Sequence, residues 1–71
     1  MNADLDAQMI AAHEADDKAA LVTLYTQAAD AANNIDAACF YLTHAYVFAL
    51  EAGTPQVRAL HARLVEHGRE A

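Results

Sequence analysis

Apolar residues recur along this chain at intervals of three and four, and polar punctuation cuts the recurrence into four stretches. Leu5, Met9 and Ala12 stand at i, i+4 and i+7, with Ile10 beside them, marking one face of a helix over about residues 3–14. Asn2 suits its N-cap, and Asp4 and Asp6 fall in the first turn, where the helix dipole favours carboxylates. Beyond "HEADDKAAL", the stripe Leu21, Leu24, Tyr25, Ala28 and Ala32 predicts a second helix over about 17–32, capped by Asp16 or Asp17. Thr23, Thr26 and Asp30 take its wet side. No Gly or Pro separates these two stretches, so one continuous helix over 3–32 is the alternative to a break.

"NNID" is a firmer stop. Asn33 is expected to end the second helix in a left-handed conformation, and Asn34 to cap a third over about 34–52. "GTP" ends that one: Gly53 suits the position after it, Thr54 an N-cap, and Pro55 the first turn of a fourth helix over about 55–68. The fourth carries Val57, Leu60 and Leu64 on one stripe.

The third helix departs from the amphipathic rule. "AACFYLTHAYVFAL", residues 37–50, holds no formal charge. At 100° per residue, Ile35, Cys39, Leu42, Tyr46, Ala49 and Leu50 share one side, with Ala38 and Ala45 at its edge. Phe40, Tyr41, His44, Val47 and Phe48 share the other. A helix apolar on both sides is central, covered from two directions. The small-residue side suits the second and fourth helices. The aromatic side needs a further cover, because each aromatic ring buries about 150–250 Å² when packed. That cover is either the first helix or a second copy of the chain or another protein. The expected interface is Phe40, Tyr41, His44, Val47 and Phe48 together with Leu5 and Met9 of the first helix. A two-fold homodimer is its simplest closed form.

Composition supports an all-α reading. Alanine is the commonest residue, while Gly totals two and Pro one in 71 residues. The chain forms a single helical domain, 1–71, of four short helices joined by short loops. Such loops make successive helices antiparallel, giving a hairpin stack or a small bundle. A domain of this size buries only about 60% of its unfolded surface. One cysteine, Cys39, excludes an internal disulfide, so packing or association must carry the stability.

The segment "ACFYLTHAYVFALEAGTP" resembles the second helix of a tetratricopeptide repeat and the turn that follows. A small residue opens the helix, aromatics line it, and "ALE" leads into a Pro-containing turn; Ala38, Tyr46, Ala49, Leu50 and Pro55 match in kind. The resemblance covers about half the chain. It implies a helical hairpin that serves as a scaffold for protein–protein interaction.

Charge narrows the partners. The net charge is −6, and residues 1–36 hold it all: seven acids against Lys18 alone. Clustered Lys and Arg are lacking, which argues against nucleic acid. "MNADLDAQMI" has no basic region or long apolar core, and residues 37–50 fall short of the roughly 20 apolar residues of a membrane span. With a lone thiol, a cytoplasmic protein is expected.

Candidate chemistry is sparse. His44 lies amid the aromatic side, and a ligand or metal pocket near His44, Tyr41 and Glu51 is the alternative to an interaction surface. Cys39 lies on the opposite side from His44, so the two do not form a nucleophile–base pair; it reads as a buried apolar group. His61 and His67 diverge by about 120° on the fourth helix. His13 could approach Asp16 or Asp17 only in a continuous helix. Arg58 and Arg63 are expected to face water. No catalytic constellation, cofactor motif or metal-ligand spacing emerges, and the chain reads as a non-enzymatic module.

Overall fold

The computed structural model describes residues 3–68, which form α1 (Ala3–Ala15), α2 (Lys18–Ala31), α3 (Ile35–Ala52) and α4 (Gln56–Glu66). The described residues are all-α. The expected cap Asn2 lies outside them.

The first two helices are separate, and two aspartates make the break. Asp16 takes a left-handed conformation with φ 55°, which a short polar side chain tolerates better than most. Its N–H donates to the His13 carbonyl at 3.2 Å, and the Asp17 N–H donates to the Ala12 carbonyl at 2.9 Å. Those two bonds satisfy the last carbonyls of α1 in a Schellman arrangement. The Asp17 carboxylate then accepts from the Ala20 N–H at 3.2 Å, so one residue both ends α1 and caps α2. Lys18 adds an ion pair to Asp16 at 2.9 Å. That hydrogen bond and charge, with a smaller contribution from Glu51 at the end of α3, hold the Lys18 ammonium above its ordinary range. Its small contribution to stability is therefore fully present at neutral pH and is lost only as pH rises through that raised range.

The α2–α3 turn departs from expectation at one residue. Ala32, in an extended conformation (φ −67°, ψ 145°), takes the chain out of α2. Asn33 is not left-handed, because the extended Ala32 already provides the reversal. Asn34 caps α3 as expected, accepting from the Ala37 N–H at 2.8 Å. At the third junction Gly53 is left-handed with φ 68°, and the Gly53 and Thr54 N–H groups both donate to the Ala49 carbonyl. Pro55 has already entered helical geometry. Thr54 does not cap α4 through its side chain: the hydroxyl is buried and has no hydrogen-bond partner among the described residues, while its carbonyl receives the Val57 N–H at 3.4 Å. The α4 helix stops at Glu66, two residues before Gly68, which is left-handed at φ 73°.

Extensive packing follows chain order: α1 on α2, α2 on α3, and α3 on α4. The Cα positions span 32 × 29 × 13 Å. Four helices closed two by two, with axes 8–10 Å apart, would be about 15 Å across in two directions. Two spans near 30 Å therefore mean a flattened small bundle rather than a square one.

The core has two parts. The larger joins Val22 and Ala29 of α2, Cys39, Leu42, Ala45 and Ala49 of α3, and Leu60 and Leu64 of α4. Leu42, Ala45 and Ala49 are wholly shielded, and the two alanines let neighbouring backbones come close along the middle of α3. The smaller joins Ala12 of α1 to Leu21 and Leu24 of α2. Because α2 is flanked on both sides, it buries a second face, Val22 and Ala29, beyond the stripe read from sequence. Ile10, Ile35 and Leu50, expected on buried sides, are exposed. Ile35 opens an α3 roughly 27 Å long that outreaches an α4 of roughly 16 Å, and Leu50 stands only about 60° from Val47 on the outer side. Arg63 does not simply face water: it pairs with Asp30 at 2.7 Å, tying α4 to α2.

Two measurements check this account. Asp16→Gly relieves the left-handed strain and is expected to raise the melting temperature by a few degrees, whereas Asp17→Ala, losing the cap, lowers stability by about 1 kcal/mol in urea titration. Leu42→Ala opens a cavity at the best-shielded position and is expected to cost about 2–5 kcal/mol, enough to leave so small a chain largely unfolded by circular dichroism.

Candidate functional site

The aromatic side of α3 divides into a covered part and an open part. The cover comes chiefly from α2, through Tyr25. Its ring stacks on His44 with centroids 5.2 Å apart and planes at 17°, and on Phe48 at 5.6 Å and 27°. It also meets Tyr41 at 6.2 Å. From the last turn of α1, His13 packs edge-on against Tyr25 and Phe48 at 5.9 and 5.8 Å. His13 Nε2 and the Tyr25 hydroxyl share a hydrogen bond of 3.0 Å. One tyrosine thus collects groups from α1 and α3, and the first helix contributes a histidine in addition to Leu5 and Met9, which pack on the same small core as Tyr25 and Phe48.

His44 is half-buried in this cluster, and its Nδ1–H donates to the Phe40 carbonyl at 2.9 Å, one turn back. A carbonyl only accepts, so Nδ1 carries the proton and Nε2 is left as the acceptor in the neutral ring. Phe40 approaches His44 with centroids 4.5 Å apart and Tyr41 at 5.5 Å. Tyr25, His44, Phe40 and Tyr41 therefore form a closed circuit of ring contacts.

Beside this circuit a groove of about 410 Å³ opens between α1 and α3. Leu5, Asp6 and Met9 line it from α1, and Phe40, Tyr41 and His44 from α3. Tyr25, Ala28 and Ala31 line it from α2 and Ala32, Asn33 and Asn34 from the turn that follows, and the small alanines leave it room. Asp6 is the one formally charged side chain among its lining residues. Glu51, expected near this pocket, does not line it; its charge acts instead on Lys18.

The open part of α3 carries Phe40, 58% exposed, Val47, 43% exposed, and Leu50, 53% exposed. Two shallow hollows run along it, one lined by Asp36, Cys39, Phe40 and Thr43 with His44, the other by Thr43, His44, Val47 and Phe48. Of the seven expected interface residues, Phe40 and Val47 are exposed, while Tyr41, His44, Phe48, Leu5 and Met9 are half-buried in the groove or the ring cluster. The spacing rules that located α3's aromatic side gave no sign of His13 and Tyr25 meeting on it, since that pairing depends on how α1 turns back.

Cys39 is a free, buried thiol, and His61 packs against Tyr46 at 5.6 Å. Because α1 ends at Ala15, His13 does not share a helical face with Asp16 or Asp17. Among the described residues no group of three His, Cys, Asp or Glu side chains could hold a metal ion, and no helix is long and apolar enough to cross a membrane. Comparison with known protein families, with curated proteins and with solved structures yields no match.

The hub role of Tyr25 is open to test. Tyr25→Phe keeps the stacks and loses only the bond to His13, and is expected to cost about 1 kcal/mol in thermal or urea unfolding. Tyr25→Ala removes the stacks as well and is expected to cost about 3–5 kcal/mol.

Proposed function

We propose that this chain is a small non-enzymatic interaction module, a tetratricopeptide-like helical hairpin protein that self-associates through the outer ridge of α3. One observation carries the reading: Asp36, Cys39, Phe40 and Thr43, spaced at i, i+3, i+4 and i+7, surround a hollow on that ridge. This is the spacing of the hole that receives a side chain from a facing helix, and exposed Phe40, Val47 and Leu50 supply side chains to fill such holes. Chain-order packing of the helices supports the hairpin-stack part of the reading.

A second copy suits the ridge better than a charged partner. Residues 37–50 bear no formal charge in a chain of net charge −6, and Asp36 is the one carboxylate at the hollow, so two copies meet there with less repulsion than contact through their acidic halves would bring. Nucleic acid is disfavoured by the same charge. A cytoplasmic setting fits the buried free thiol of Cys39.

Light scattering across a dilution series tests the proposal. The expected mass is twice that of the chain at high micromolar concentration. Val47→Glu is expected to reduce it to that of one chain with helicity unchanged, because Val47 is exposed and its substitution opens no cavity. A wild-type chain that is monomeric at every concentration refutes self-association.

A further inference from the structure

The groove between α1 and α3 has a composition of its own, apart from the ridge. Four rings in mutual contact stand at it: Tyr25 to His44 at 5.2 Å, His44 to Phe40 at 4.5 Å, Phe40 to Tyr41 at 5.5 Å, and Tyr41 to Tyr25 at 6.2 Å. All four line the same space of about 410 Å³, within the range of small-ligand sites. The rings are set at different angles, from 17° between Tyr25 and His44 to 74° between Phe40 and Tyr41, so they form walls rather than one flat stack. Leu5, Met9 and alanine methyl groups make up part of the rest, Asn33 and Asn34 add polar amides, and Asp6 contributes the one formal charge, a negative one. Residues 1–36, which supply α1 and α2, carry the whole net charge of −6.

We propose that this groove binds a methylated ammonium group. The negative faces of aromatic rings attract a cation held within about 6 Å of their centroids. A quaternary ammonium needs no hydrogen-bond acceptors and is weakly hydrated, which suits the ring-lined side of the groove. A primary ammonium is strongly hydrated and has three donors to satisfy, which ring faces serve less well than water does. Phe40 and Tyr41, beside the Tyr25–His44 stack, supply the rings, and Asp6 the complementary charge. An anion or an uncharged apolar molecule would find less: the former meets a carboxylate in an acidic half-chain, the latter makes no use of it. The site shares Phe40 and His44 with the ridge, while Tyr41, Asp6 and Met9 lie off it.

Choline and its uncharged isostere 3,3-dimethylbutanol are the probes, titrated against the full chain and followed by NMR at matched ionic strength. Choline is expected to shift the Tyr25, Tyr41 and Met9 signals saturably and to bind about tenfold more tightly than the isostere. Asp6→Asn, at an exposed position, is expected to weaken choline roughly fivefold, and Tyr41→Leu to weaken it further while leaving the mass in light scattering unchanged. A peptide bearing trimethyl-lysine, titrated beside free choline, distinguishes a protein tail from a free small molecule as the source of the group. Equal affinity for choline and the isostere overturns the proposal, as do choline shifts that fail to saturate or that map to Val47 and Leu50.

Discussion

The stack of Tyr25 on Phe48 holds two small cores in one structure. Ala12, Leu21 and Leu24 make one core, and the residues around Leu42 and Ala45 make the other; Tyr25 and Phe48 pack against both. Neither core is large. Many of its members are alanines, and the first is little more than the meeting of α1 with α2. Rings that span the gap add contact area that methyl groups cannot. Without them, α1 would hold to the rest through a few small side chains and the two-aspartate turn.

This dependence accounts for the neutral third helix. A helix that shares one core with α2 and α4 through Cys39, Leu42, Ala45 and Ala49, and packs Phe48 on the Tyr25 ring, has few directions left for charge. What remains is the strip bearing Phe40, Val47 and Leu50. Its exposure is a consequence of the flattened arrangement: in a square bundle another helix would lie over it. The groove follows from the same layout, because α1 and α3 flank α2 and the alanines of α2 do not fill the space between them.

Much of the fold was legible in the residues because its signals are local. Gly53 ends a helix through a conformation that side chains disfavour, and Asp17 and Asn34 cap through bonds to N–H groups three residues on. The stripe Val57, Leu60 and Leu64 is a matter of helical period. Features set by a neighbour were not legible. Thr54 has the chemistry of a cap but its buried hydroxyl caps nothing, and Arg63 finds Asp30 only because the fold brings α4 within reach of α2. Val22 and Ala29 became core because α2 has neighbours on two sides, which periodicity alone does not state. At the candidate site, the aromatic side of α3 could be read from the wheel, but its division by Tyr25 and His13 into covered and open parts could not.

Packing in chain order bears on how the molecule forms. Every extensive helix contact joins elements adjacent in sequence, so each step closes only a short loop and no distant strands must find one another. Helix–helix docking of this local kind proceeds in microseconds to milliseconds, leaving little time for the bare aromatic side of α3 to meet other unfolded chains. The same linear order makes the array easiest to open from its ends. The first helix, held by one small core and the Tyr25 cluster, is then the segment whose amide hydrogens exchange soonest with solvent.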